Sequence, residues 1–75
     1  MNTLSYMDPK AGDVKQTWDP RNPTEVEAAR KLFNDLKGKH FEAYRAKADG
    51  GKHTRMTEFD PEAGAIIMAP VTAGG

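Results

Sequence analysis

The stretch that decides the fold runs Asn22-Pro23-Thr24-Glu25-Val26-Glu27-Ala28-Ala29-Arg30-Lys31-Leu32-Phe33-Asn34-Asp35-Leu36-Lys37-Gly38. Its start and stop are written in side-chain chemistry. Asn22 has the short polar side chain of an N-cap, Pro23 suits the first helical position, and Glu25 stands three residues after the cap. Ala28, Ala29, Arg30, Lys31 and Leu32 all favour helix. Val26, Ala29, Phe33 and Leu36 recur at three- and four-residue spacing and form one apolar stripe, widened by Leu32. Glu27 precedes Lys31 by one turn, the favourable order for an ion pair. Gly38 is a stop signal, and Lys37 and Lys39 sit where the helix dipole favours cations. The pattern predicts a helix over residues 23–37, amphipathic and therefore in need of a surface to cover.

Working outward, two nearly identical turn signals flank this helix. Asp8-Pro9-Lys10-Ala11-Gly12 precedes it and Asp60-Pro61-Glu62-Ala63-Gly64 follows it. In each, Asp opens the turn, Pro presets φ and Gly supplies a left-handed residue. The first predicts a hairpin of Thr3 to Met7 against Val14 to Trp18. The second predicts a hairpin of Thr54 to Phe59 against Ala65 to Val71. Residues 40–47 alternate as a strand, and residues 48–52 read as a loop. The expected order is β-β-α-β-β-β. This is an α+β fold, with one helix packed on a four- or five-stranded, mainly antiparallel sheet. A loose N-terminal arm in place of the first hairpin is the alternative.

Seventy-five residues allow one small domain. A chain of this size buries only about 60% of its unfolded surface, so it needs a well-ordered core, a partner or self-assembly. There is no cysteine, which removes disulfides and thiolate chemistry. Lys+Arg and Asp+Glu are 11 each, which argues against a globally basic nucleic-acid protein. The longest apolar run, Ala65 to Ala69, is too short for a membrane span. Met1 to Lys10 lacks the basic-then-apolar pattern of a signal peptide. These features suggest a cytoplasmic protein or a component of an assembly built there, without a membrane partner.

A hairpin, a helix and further strands, with Gly74-Gly75 at the end of the sequence, resemble the ubiquitin-like β-grasp family. The resemblance implies a β-grasp-like sheet. It also implies that Gly74 and Gly75 serve conjugation, the carboxylate being activated and joined to a lysine or to sulfur. Glycine suits that role because side chains would obstruct a narrow activating channel.

Catalytic chemistry is not indicated, and no cofactor is implied. Ser5 has no histidine near it in sequence. His40 and His53 with Glu42 or Asp49 could hold a metal, but this spacing is not that of a zinc site, and solvated polar residues are the simpler reading. Glu58, Asp60 and Glu62 surround a turn, where solvated acids are ordinary. Asp49-Gly50-Gly51-Lys52 precedes a strand and not a helix, so it is no phosphate loop.

Charge is distributed unevenly. Residues 37–55 hold six basic side chains, Lys37, Lys39, Arg45, Lys47, Lys52 and Arg55, against two acidic ones. Interleaved with Phe41 and Tyr44, this basic patch could meet nucleic acid or an acidic neighbour, including a second copy of the chain. Neighbouring strand residues point to opposite faces, so Ile66 and Ile67 must diverge. Tyr6, Met7, Met56, Ile67 and Met68 are accordingly the candidate interface, because they cannot all pack under one helix. The reading that best accommodates these features is a non-catalytic structural or adaptor subunit with a protein partner or self-association, of the size of a phage-particle accessory component. A ubiquitin-like modifier or sulfur carrier is the alternative, and a nucleic-acid-binding module comes third.

Overall fold

A computed structural model describes residues 1–46 and 54–71. The elements follow in the order β1 (Asn2–Asp8), β2 (Gly12–Trp18), α1 (Pro23–Gly38), β3 (Phe41–Arg45), β4 (Thr54–Met56) and β5 (Ala65–Pro70). One helix lies across a five-stranded mixed sheet with strand order β2-β1-β5-β3-β4. Every neighbouring pair is antiparallel except β1 with β5, which run parallel at the centre.

The helix begins as its cap residue dictates. The Asn22 side chain accepts from the backbone N–H groups of Thr24 and Glu25, at 3.0 and 3.3 Å. Glu25 completes the box by accepting from the Asn22 side-chain amide and from the Asp19 N–H. Ala29, Phe33 and Leu36 form its buried stripe. At the other end the helix includes Gly38. The left-handed residue is His40, with φ 68°, and not the glycine. The Lys39 and His40 N–H groups bond Leu36 and Lys37 carbonyls three residues back, so a tightened last turn satisfies the helix end.

The first turn signal produces the expected hairpin. Asp8 Oδ1 accepts from the Lys10 and Ala11 N–H groups, and Gly12 adopts φ +82°. β1 and β2 then pair over their whole lengths, from Asp8–Gly12 to Asn2–Trp18.

The second turn signal does not make a hairpin. β4 pairs with β3, and β5 lies between β1 and β3, so the segment from Thr57 to Gly64 crosses past β3 from the edge of the sheet to its centre. Non-local packing explains this. Phe59 leaves the sheet direction to pack between Trp18 and Phe33, with ring centroids 5.2 and 5.7 Å away. Arg30 lies over the Phe59 ring at 5.9 Å. Ala63 is buried. The Pro61 carbonyl accepts from Trp18 Nε1 and from the Asn2 side chain, both at 3.0 Å. Arg45 pairs with Asp60. The turn residues are thus held by the first hairpin, the helix and β3, and strand pairing follows from that.

The core is one layer between helix and sheet: Leu4, Trp18, Ala29, Phe33, Leu36, Ala43, Met56, Ala63, Ile66 and Met68. Among the described residues no buried side-chain nitrogen or oxygen lacks a hydrogen-bond partner.

Candidate functional site

Strand alternation sorts the sheet into two faces, and the register shows what each face carries. Leu4, Ile66 and Arg45 fall in one row, and Tyr6 and Met68 in the next, on the side of the buried residues. Thr3 with Ala65, Ser5 with Ile67, and Ile67 with Tyr44 fall on the other side. No described element packs on that second face, so it is the open face of the sheet.

Of the candidate interface residues, this alternation leaves two on the open face. Ile67 is 41% exposed and Met7 is 60% exposed. The remaining three are corrected. Met68 and Met56 are buried in the core, because each shares a parity with Ala43 in the register that joins β5, β3 and β4. Tyr6 is half-buried on the helix side, where its ring meets Phe41 edge-on at 6.0 Å. Ile66 is fully buried and Ile67 is not, so the two isoleucines diverge as the pleat requires.

Sequence reading missed Tyr44 as an open-face residue. It is half-buried and lies directly beside Ile67 in the β3–β5 register. The alternation of β3 contained the signal, but its phase depended on knowing that Ala43 is the core position. Met7, Ile67, Ala69 and Tyr44 therefore make an apolar centre on the open face, with Ser5 beside Ile67. Its flanks are charged: Asp13 and Lys15 on β2 at one side, Glu42 and Arg55 on β3 and β4 at the other.

Among the described residues the cations of the basic stretch do not share one surface. Lys47 and Lys52 lie outside the described residues. Arg45 has its side chain on the helix side and pairs with Asp60, while Arg55 stands on the open face. Arg55 donates to Glu42 at 2.8 Å. That contact holds the Glu42 carboxyl below the ordinary carboxylate range and raises Arg55, each chiefly through the shared hydrogen bond. Lys37 and Lys39 sit at the helix end. The described cations are thus divided between two faces, and both arginines are already partnered by acids.

Ser5 stands opposite Lys15 on one side and Ile67 on the other, with no histidine in either row. Among the described residues no group of three or more His, Asp and Glu side chains is placed to hold a metal ion. His53 and Asp49 lie outside the described residues, as do Gly74 and Gly75. No helix among the described residues is long and apolar enough to cross a membrane.

With this geometry in hand, comparison with known proteins adds no relative: no protein-family model, curated protein or solved structure matches the chain.

Proposed function

We propose that this chain is a non-catalytic interaction module that docks a protein partner through the open face of its sheet. One observation carries the reading. Ile67, at the middle of the central strand pair, is 41% exposed, while its neighbour Ile66 is fully buried. Solvated sheet faces normally alternate to polar residues. Here the centre of the open face is Ile67, Met7, Ala69 and Tyr44, and the charged residues stand at its two sides. An apolar centre with a polar rim is the anatomy of a protein interface. Methionine and tyrosine are residues that adapt to, or anchor, such contacts.

The test is a paired capture from the native source. The unmodified chain and Ile67→Asp are compared with Lys31→Asp, a substitution on the exposed side of the helix. The expected result is one protein retained by the unmodified chain and by Lys31→Asp and lost with Ile67→Asp, followed by the same order of affinities with that purified partner. Equal binding by all three would remove the open face from the account.

The modifier reading is the alternative, supported by the hairpin–helix–strand order and by Gly74 and Gly75 in the sequence. It requires a covalent adduct that disappears when Gly75 is deleted.

A further inference from the structure

The sheet has two edges, and they differ. β4 is three residues long, a short edge of the kind that proteins use to avoid strand pairing. β2 is seven residues long, paired along its whole length to β1, without proline. The groups it presents outward follow from one bond. The Thr3 N–H donates to the Gly64 carbonyl just before β5. Thr3, Ser5 and Met7 therefore direct their backbone groups toward β5, and Leu4, Tyr6 and Asp8 toward β2. In an antiparallel ladder the hydrogen-bonded partners are then Gln16, Val14 and Gly12. What remains, at the free edge, is the N–H and C=O of Asp13, Lys15 and Thr17. Their side chains are exposed on the open face.

We propose that this edge pairs antiparallel with the β2 of a second copy, in the register that sets Asp13 opposite Lys15 and Lys15 opposite Asp13. A two-fold axis then passes through Val14. Charge selects this register among those the outward groups permit. Shifting so that Lys15 meets Lys15, or Asp13 meets Asp13, opposes like charges directly, which destabilises a strand pair. Shifting toward Thr17 places Asp13 opposite Asp19, whose N–H already donates to Glu25 at the helix cap. A further shift would set Lys15 opposite Asp19, but Asp19 lies outside β2 and its N–H is committed to Glu25, so within β2 only the Asp13–Lys15 register gives two opposite-charge pairs. Among the described residues neither side chain has an ion-pair partner within its own chain. Each hydrogen-bonded pair exchanges two N–H···O bonds, so the two pairs close about four. Val14, half-buried on the helix side, meets its own copy across the axis. The interface is isologous and closes as a dimer with one continuous sheet. It does not depend on the open-face reading, because its contacts are main chain and charge and not Ile67.

The experiment is sedimentation of four chains over a concentration series up to about 1 mM, at low and at moderate salt. They are the unmodified chain, Lys15→Asp, Asp13→Lys and the double exchange D13K/K15D. Circular dichroism confirms that each is folded, as expected for exposed positions. The proposal expects a dimer for the unmodified chain. Each single substitution should weaken it about tenfold or more, since both cross-strand pairs become like-charge pairs. The double exchange should restore it, and Ile67→Asp should leave it unchanged. A monomeric unmodified chain, a single variant that dimerises as well as the parent, or a folded double exchange that stays monomeric would each overturn it.

Discussion

Asp8 and Asp60 occupy the same place in two copies of one five-residue pattern, and each holds its turn by accepting main-chain hydrogen bonds. Asp8 Oδ1 takes the N–H of Lys10 at 2.7 Å and of Ala11 at 3.0 Å. Asp60 Oδ1 takes the N–H of Glu62 at 2.9 Å, and its carbonyl takes that of Ala63 at 3.0 Å. For Asp8 the consequence is a pKa below the ordinary aspartate value, caused first by the Ala11 and Lys10 N–H groups. The folded state therefore binds this proton less readily than the unfolded chain. The stabilisation is complete above the unfolded pKa and is lost as pH falls through the lowered folded value. Asp8→Ala should thus destabilise the fold at neutral pH, and the difference from the parent should shrink as acid is added. Denaturant titrations of both chains at several pH values check this. A difference that holds constant down to the acid limit would mean the carboxylate does not act through its charge.

At the scale of elements, those two turns separate what the sequence makes legible from what it does not. The helix and the first hairpin are local. Asn22, Pro23 and Glu25 start the helix wherever it sits, and Asp8 to Gly12 closes two strands that are neighbours in the chain. Asp60 to Gly64 carries the same local instruction, yet β5 pairs with β1 and β3 instead of β4. The deciding contacts are far away in sequence: Phe59 against Trp18 and Phe33, and Trp18 Nε1 on the Pro61 carbonyl. No five-residue pattern encodes them. The candidate interface was legible to the same degree. Alternation placed Ile66 and Ile67 on opposite faces, but the phase of β3 and β4, which buries Met56 and puts Tyr44 on the open face, came only with the register. The glycines test the distinction. Gly12 has φ +82°, so Gly12→Ala forces a side chain into a left-handed backbone and should cost about 1–2 kcal/mol. Gly64 does not adopt a positive φ, and an added Cβ there meets nothing within 4 Å. Gly64→Ala should be neutral, or stabilising by up to about 1 kcal/mol through the unfolded chain. Equal losses at both sites in chemical denaturation would show that the two turns share a backbone geometry after all.

On the scale of the whole molecule, a single helix must cover a sheet of five strands, and it covers one face. That leaves a two-layer domain whose stability and whose proposed recognition are assigned to opposite sides of the same strand. β5 makes the division testable within two adjacent residues of identical chemistry. Ile66 is fully buried in the row with Leu4, beneath the helix; Ile67 is 41% exposed between Ser5 and Tyr44. Threonine keeps the β-branch that a strand favours while it removes apolar carbon and adds a hydroxyl. Ile66→Thr loses buried volume and brings a polar group into an apolar layer, so it should cost at least about 2 kcal/mol. In a domain this small that is a large share of the total stability. Ile67→Thr removes only surface that water already reaches in part, and should change stability by about 0.5 kcal/mol or less. Urea midpoints of the two variants provide the measurement. If Ile67→Thr proved as destabilising as Ile66→Thr, the second face would be covered in the folded chain, and the docking reading would fall with it. If it leaves the fold intact while partner binding is lost, residue 66 serves the fold and residue 67 serves the interface, with the pleat of one strand dividing the two roles.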